Sequence, residues 1–180
     1  MNSILNYFIF LFYILSAITI WRLLSTHKKS YVLQVFVWIF WALAIIGHIF
    51  AISPIIYENY SVNLSLNYAL IVVAFIISVT LYISSIVGNT QFLGIILLPI
   101  ISLIFLLDFT NNPVNVAMNN FLFIHVIISL ISYSILCLSA AQSLILKLQE
   151  KKLQTNQPIG IIASLPSLDA MDNLLFKILA

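Results

Sequence analysis

Charged side chains are scarce in this sequence. Asp, Glu, Lys and Arg together make up 7% of its 180 residues, whereas soluble domains carry about a quarter. Hydrophobic residues make up 63%, and the mean hydropathy is +1.15. No polar stretch is long enough for a separate soluble domain. These proportions exclude an ordinary water-soluble fold and indicate a single bundle of helices in a lipid bilayer.

Other absences narrow the function. The single cysteine, Cys137, excludes an internal disulfide framework, a CxxC redox pair and the CxxCH motif that attaches haem to c-type cytochromes. There is no phosphate-binding glycine loop, no carboxylate pair within an apolar segment, no nucleophile elbow and no basic nucleic-acid-binding stripe. We therefore expect neither an enzyme nor a nucleic-acid-binding protein.

Five apolar segments are present, each near the ~20 residues that cross a hydrocarbon core as a helix. They cover residues 4–24, 33–53, 67–87, 91–107 and 121–146. The fourth is the shortest and contains Pro99, which predicts a kink. The predicted fold class is therefore all-α, a polytopic transmembrane bundle of about five spans over residues 1–146.

Residues 147–180 form the predicted cytoplasmic tail. Ser167 is a candidate N-cap, and Asp169 follows it near the positive end of a helix dipole. Apolar residues then fall on one helical face, at Leu168, Met171, Leu174, Leu175 and Ile178. This spacing predicts a short amphipathic helix over residues 168–179 that lies on the membrane surface or against a further span.

Basic residues occur at only two places along the chain. The first group flanks the first connection, and the second follows the fifth segment: Arg22, Lys28 and Lys29, then Lys147, Lys151, Lys152 and Lys177. The connections over residues 54–66 and 108–120 contain neither Lys nor Arg. By the positive-inside rule, this pattern predicts an N-terminus outside and a tail in the cytoplasm.

Two histidines lie inside apolar segments, where an ionisable side chain is costly and is a candidate functional residue. His48 lies five residues before the end of the second segment and His125 four residues after the start of the fifth, so both are at nearly the same depth. Such a pair suits axial ligation of haem iron, binding of a divalent metal or relay of protons. The alternative is that each is a polar contact between helices, hydrogen-bonded to a serine.

Small and hydroxylated residues form stripes at helical spacing. The stripe of the fifth segment contains His125, Ser129, Ser132, Leu136, Ser139, Ala140 and Ser143, flanked by Tyr133. The stripe of the third contains Asn67, Ala74, Ser78, Tyr82 and Ser85; in the second, Trp41 and Ala44 share the face of His48. Such stripes face other helices rather than lipid. We therefore expect both histidines in one interior, with Trp41 and Tyr133 beside a macrocycle and Ser129 accepting the other ring N–H of His125.

Three stretches resemble the cytochrome c assembly family. They are residues 63–67 (NLSLN), His125 with Ser129, Ser132 and Tyr133, and residues 165–169 (LPSLD) followed by 171–174 (MDNL). The family includes CcsA-, CcmC- and HemX-like haem-handling membrane proteins. The likeness covers about residues 57–180 and is greatest to the small YpjD-type inner-membrane members.

The resemblance implies an accessory role in haem export, delivery or quality control during cytochrome c biogenesis, in the bacterial inner (cytoplasmic) membrane. It implies haem b as cofactor, with iron ligated by His48 and His125, and other cytochrome c maturation proteins as partners beside membrane lipid. The tryptophan-rich outer loop of the CcsA and CcmC branches has no counterpart here, which favours the HemX or YpjD branch. The chain ends where family members continue into about three more spans, so we expect it to lack them.

Functions of other classes stay open. A permeation subunit or transporter half would use the serine stripes as a polar path and Pro99 as a flexible break. A scaffold would bind partner proteins through its tail. A Soret band in the purified protein would favour haem handling, whereas a colourless protein with substrate-stimulated flux would favour permeation.

Overall fold

The computed structural model describes residues 3–26, 30–57, 61–63, 66–87, 90–106, 115–117 and 120–154. The elements are α1 (Ser3–Ser25), α2 (Tyr31–Tyr57), strand β1 (Ser61–Asn63), α3 (Leu66–Val87), a 3-10 turn (Gln91–Leu93), α4 (Gly94–Ile104), strand β2 (Asn115–Ala117) and α5 (Asn120–Gln154). The predicted all-α bundle is confirmed. The helix predicted over residues 168–179 lies outside the described residues.

Four of the described helices, α1, α2, α3 and α5, are long and apolar enough to cross a membrane. Their bounds follow the predicted segments, because apolar runs of this length satisfy their backbone polar groups within the helix. α5 continues past residue 146 to Gln154. Residues 147–154, KLQEKKLQ, are mostly polar and are strong helix formers, so the helix does not end where its apolar part ends.

α4 is shorter than the span predicted over residues 91–107. The 3-10 turn and α4 together run from Gln91 to Ile104, about 22 Å at the usual rise per residue and less than a ~30 Å hydrocarbon core. Pro99 lies inside the helix and lacks the amide hydrogen that an intrahelical bond needs. After Ile104 the next two amides donate to carbonyls three residues back, at 3.1 and 3.0 Å, and the helix stops.

α1 contacts both α2 and α4, and glycines bring these helices close. A Cβ added at Gly47 of α2 would lie 2.9 Å from Cγ1 of Ile9 in α1. A Cβ added at Gly94 of α4 would lie 2.8 Å from Cδ1 of Ile20. Both distances are shorter than an ordinary van der Waals contact between carbons, so the two glycines permit an approach that a larger residue would prevent.

Strands β1 and β2 form a short antiparallel pair, in which Ser61 lies opposite Ala117 and Asn63 opposite Asn115. β1 follows α2 and β2 precedes α5. The pairing therefore brings the segment after α2 and the segment before α5 together at one end of the bundle. Three-residue strands carry too little alternation to be predicted from sequence, and this pair was not expected.

α5 is the least buried of the four long helices. Of the residues in its apolar stretch 17% are buried, against 28% to 33% in the other three helices. It packs on α3. The buried residues of α5 lie mainly on one face, at Ser134, Leu138, Ser139, Gln142, Ile145 and Gln149. The rest of the helix surface is open, and in a bilayer it would meet lipid.

Candidate functional site: a buried histidine and an exposed one

His48 is fully buried, with an exposed fraction of 0%. It lies on the face of α2 that also buries Trp41 and Ala44, as the helical spacing predicts. Three rings make T-shaped contacts with it, with ring centroids 6.0, 5.3 and 4.7 Å away: Tyr13 of α1, Phe75 of α3 and Phe105, which directly follows α4. Four helices therefore meet at this imidazole.

Both ring nitrogens of His48 are hydrogen-bonded. Nε2 lies 3.0 Å from the carbonyl oxygen of Ile71 in α3. Nδ1 lies 2.9 Å from the hydroxyl oxygen of Tyr13 in α1. A histidine in the lipid region is costly when its polar atoms lack partners, and here the bundle supplies a partner for each nitrogen.

The hydrogen bonds continue from Tyr13 toward Trp41. The Tyr13 hydroxyl lies 3.0 Å from Oγ of Ser78 in α3, and the indole N–H of Trp41 donates to the same Oγ at 3.1 Å. Each of these side chains has an exposed fraction of 0%. We call Trp41, Ser78, Tyr13, His48 and the Ile71 carbonyl the His48 junction. In this junction the buried polar groups form hydrogen bonds with one another inside an apolar core.

Helical spacing in the sequence predicts part of this junction. Trp41 was placed on the face of His48, and Ser78 in the stripe of the third segment. Tyr13 was missed, although a usable signal exists: a tyrosine at helical spacing between Ile9 and Ile20 in an apolar helix carries a hydroxyl that needs a partner when buried. The predicted serine partner of His48 exists only indirectly, through the Tyr13 hydroxyl.

His125 lies on α5 with its side chain exposed. Within the described residues, no hydrogen bond or ring contact engages its imidazole. The structure therefore does not bring the two histidines into one interior: His48 is enclosed by α1, α3 and α4, while His125 faces outward. The expectation of one shared interior is wrong for this arrangement, because α5 packs on α3 through a different face.

The predicted stripe of α5 is largely on the outside. Ser139 is buried, but the other members of known exposure are open or half-buried: His125, Ser129, Ser132, Leu136, Ala140 and Ser143. The hydroxyl of Ser129 donates to the carbonyl oxygen of His125 at 2.9 Å, and does not contact the imidazole. Tyr133 is 63% exposed. A serine that donates to its own helix backbone has no polar atom left unsatisfied, so this stripe does not require a helix partner.

The stripe of α3 faces inward as predicted. Ala74, Ser78 and Ser85 are buried, and the ring of Tyr82 packs against Trp41 with centroids 5.5 Å apart; the Asn67 side chain lies outside the described residues. A second set of hydroxyls closes the turn into α4: Oγ of Ser85 lies 3.2 Å from Oγ1 of Thr90. These contacts tie the α3–α4 connection rather than form an open site.

The described part of the chain contains no cluster of three or more His, Cys, Asp or Glu side chains that would hold a metal ion. Among the described residues the two histidines are His48, which is buried and hydrogen-bonded, and His125, which is exposed. Comparison with protein-family models, with curated proteins and with solved structures gives no match for this chain.

Proposed function

We propose that this chain is a haem-handling accessory protein of cytochrome c biogenesis in the bacterial inner membrane. The resemblance of its three stretches to the cytochrome c assembly family supports this functional class. The observation that carries the proposal is the exposed imidazole of His125 on a helix that is long and apolar enough to cross a membrane. An imidazole on such a surface is costly without a ligand, and haem is an apolar group whose iron binds imidazole.

His48 does not fit axial ligation in the arrangement described. Both of its nitrogens are hydrogen-bonded, the rings of Phe75 and Phe105 pack against it, and its exposed fraction is 0%. No lone pair is open to iron, and no face is open to a porphyrin. Ligation of one haem by both histidines stays a prediction that would need the junction to open.

His125 fits one axial ligand. Its ring is open to an apolar surface, and Tyr133, two turns farther along α5, is also exposed. If haem b bound here, the imidazole would ligate its iron and the macrocycle would cover apolar surface. Trp41 is buried at the His48 junction and is therefore not available to a macrocycle beside His125.

The basic end of the bundle lies in the cytoplasm under this proposal, and the N-terminus lies outside. Two observations support it. The β1–β2 pair joins, at one end, the two connections that contain no Lys or Arg. Arg22, in the last turn of α1, and Lys147, beyond the apolar part of α5, lie toward the other end of their helices, which suits the positive-inside rule.

A permeation subunit has less support. A polar path needs hydroxyls that face an open channel, but the buried serines Ser78, Ser85 and Ser134 are hydrogen-bonded to protein atoms. The rest of the hydroxylated stripe on α5 faces outward. These contacts favour closed helix packing over a conducting interior.

The visible absorption spectrum of the detergent-purified chain, after titration with haem, tests the proposal. We expect a Soret band that the His27→Ala variant retains, because His27 belongs to the basic connection between α1 and α2. A wild-type protein that takes up no haem would contradict the proposal. Substrate-stimulated flux through vesicles of that colourless protein would support the permeation function instead.

A further inference from the structure

We propose that Tyr13 and Ser78 are positioning residues that hold His48 as the neutral tautomer with its hydrogen on Nε2. In this form Nδ1 carries the lone pair of the ring that can accept a hydrogen bond, and it accepts one from the Tyr13 hydroxyl. The inference concerns the protein without haem and does not depend on haem binding. It rests on which end group of the His48 junction can donate a hydrogen bond and which can accept one.

One end of the junction can only accept a hydrogen bond. The Ile71 carbonyl oxygen has no hydrogen, so the 3.0 Å contact with Nε2 of His48 requires an N–H at Nε2. A neutral imidazole carries one N–H, and Nδ1 is then an acceptor. The hydrogen of its 2.9 Å contact with Tyr13 must therefore come from the Tyr13 hydroxyl.

The other end can only donate. The indole N–H of Trp41 has no lone pair to offer, and Ser78 Oγ accepts it at 3.1 Å. The Tyr13 hydroxyl can also donate to Ser78 Oγ, 3.0 Å away, so Ser78 is the alternative acceptor for the hydrogen that Tyr13 offers to Nδ1 of His48. Ser78 Oγ therefore holds both the Trp41 indole and the Tyr13 hydroxyl in place beside His48.

The surroundings of the ring favour the neutral form. The groups that face His48 are the Tyr13 hydroxyl and ring from α1, the Ile71 carbonyl and Phe75 from α3, and Phe105 directly after α4. Within the described residues, the hydrogen bonds and ring contacts of the junction include no charged side chain that would balance an imidazolium. A buried imidazolium without a balancing charge is costly, so the junction favours a neutral ring.

The consequence is that Tyr13 controls access to His48. The lone pair on Nδ1 becomes available to a proton or an iron only when the Tyr13 hydroxyl turns away from it. Tyr82 is a matched control, because its ring packs in the same core, against Trp38 and Trp41, while no hydrogen bond from its hydroxyl occurs within the described residues.

Nitrogen-15 NMR of histidine-labelled protein in detergent, without haem, tests the tautomer. His27→Ala and His125→Ala variants assign the His48 signals. We expect a neutral His48 with the hydrogen on Nε2 in the wild type. In Tyr13→Phe the Nδ1 resonance should move downfield, toward that of an unbonded imidazole nitrogen, and in Tyr82→Phe it should stay in place.

Two results would overturn the inference: a wild-type His48 with its hydrogen on Nδ1, or a folded Tyr13→Phe protein whose Nδ1 resonance equals that of the wild type. The wild-type tautomer alone decides the matter if Tyr13→Phe does not fold. Since no haem is present, a failure here leaves the proposed function in place, and a failure to bind haem leaves the tautomer result in place.

Discussion

A histidine inside an apolar bundle is stable only when each ring nitrogen has a partner, and His48 obtains them from two different helices. The Tyr13 hydroxyl comes from α1 and the Ile71 carbonyl from α3. Ser78 then joins Tyr13 to Trp41. Each of these hydrogen bonds joins two different helices, so single atoms at this junction contribute to the packing of the bundle.

Replacing Ser78 with Ala removes the acceptor of the Trp41 N–H and a partner of Tyr13 in one step. We expect the free energy of unfolding to fall by about 1–2 kcal/mol, because hydrogen bonds between membrane helices contribute about 0.6 and at most ~1.7 kcal/mol each and an unsatisfied buried group adds to the loss. Unfolding in mixed micelles of mild detergent and dodecyl sulfate measures the change.

Ser132→Ala is the control for that substitution. Ser132 is exposed on α5, and its hydroxyl donates to the Ile128 carbonyl of its own helix at 2.9 Å. Its loss should change the free energy of unfolding by less than about 0.5 kcal/mol. Equal effects at Ser78 and Ser132 would show that the His48 junction does not stabilise the bundle.

The residues of the junction show what the sequence can predict at this scale. Helical spacing correctly placed Trp41 on the buried face of α2 with His48, and Ser78 on the buried face of α3. Tyr13 is not predicted from the sequence, because its role depends on how α1 packs against α2 and α3. Spacing within one helix does not report on that packing. His125 was placed inside because its serine neighbours resemble a packing face, yet a serine can satisfy its hydroxyl on its own backbone.

Among the helices, the close contact of α1 with α2 depends on Gly47, which immediately precedes His48. Gly47→Ala would place a carbon 2.9 Å from Cγ1 of Ile9 and push α1, with Tyr13, away from the imidazole. We expect a loss of about 1–3 kcal/mol in the free energy of unfolding, the usual range for overpacking. Detergent unfolding measures it.

Gly94→Ala provides the comparison, because its new carbon would meet Cδ1 of Ile20, the end of a flexible side chain. We expect a smaller loss there. Combining Gly47→Ala with Ile9→Ala should recover part of the Gly47 effect in a double-mutant cycle. Purely additive losses would mean that the two residues do not clash and that the α1–α2 contact is not limited by Gly47.

The lengths of the helices are largely predictable from the sequence. The exception is α4, which is shorter for a local reason. Long apolar runs specify α1, α2, α3 and α5 because a lipid-exposed backbone must satisfy its own polar groups. α4 is shorter than its apolar segment because Pro99 weakens it and the chain turns after Ile104. Its apolar side chains are accommodated by packing on α1, which composition alone does not distinguish from crossing the bilayer.

For the whole molecule, orientation follows from the distribution of basic residues and can be tested by labelling. Cysteines introduced at Asn112 and Gln154, in a Cys137→Ala background, should be modified from outside and from the cytoplasm, respectively. Asn112 lies in a connection without Lys or Arg, and Gln154 is the last residue of α5. Labelling of Gln154 from outside, with Asn112 protected, would reverse the orientation.

The contrast between the buried His48 and the exposed His125 is tested most directly by titrating two variants with haem and following the Soret band. His125→Ala removes the open imidazole. His48→Gln keeps a donor and an acceptor at the His48 junction, so the fold should survive. We predict that His125→Ala loses the Soret band and that folded His48→Gln retains it. Retention by His125→Ala, with loss in folded His48→Gln, would contradict the assignment of haem to His125.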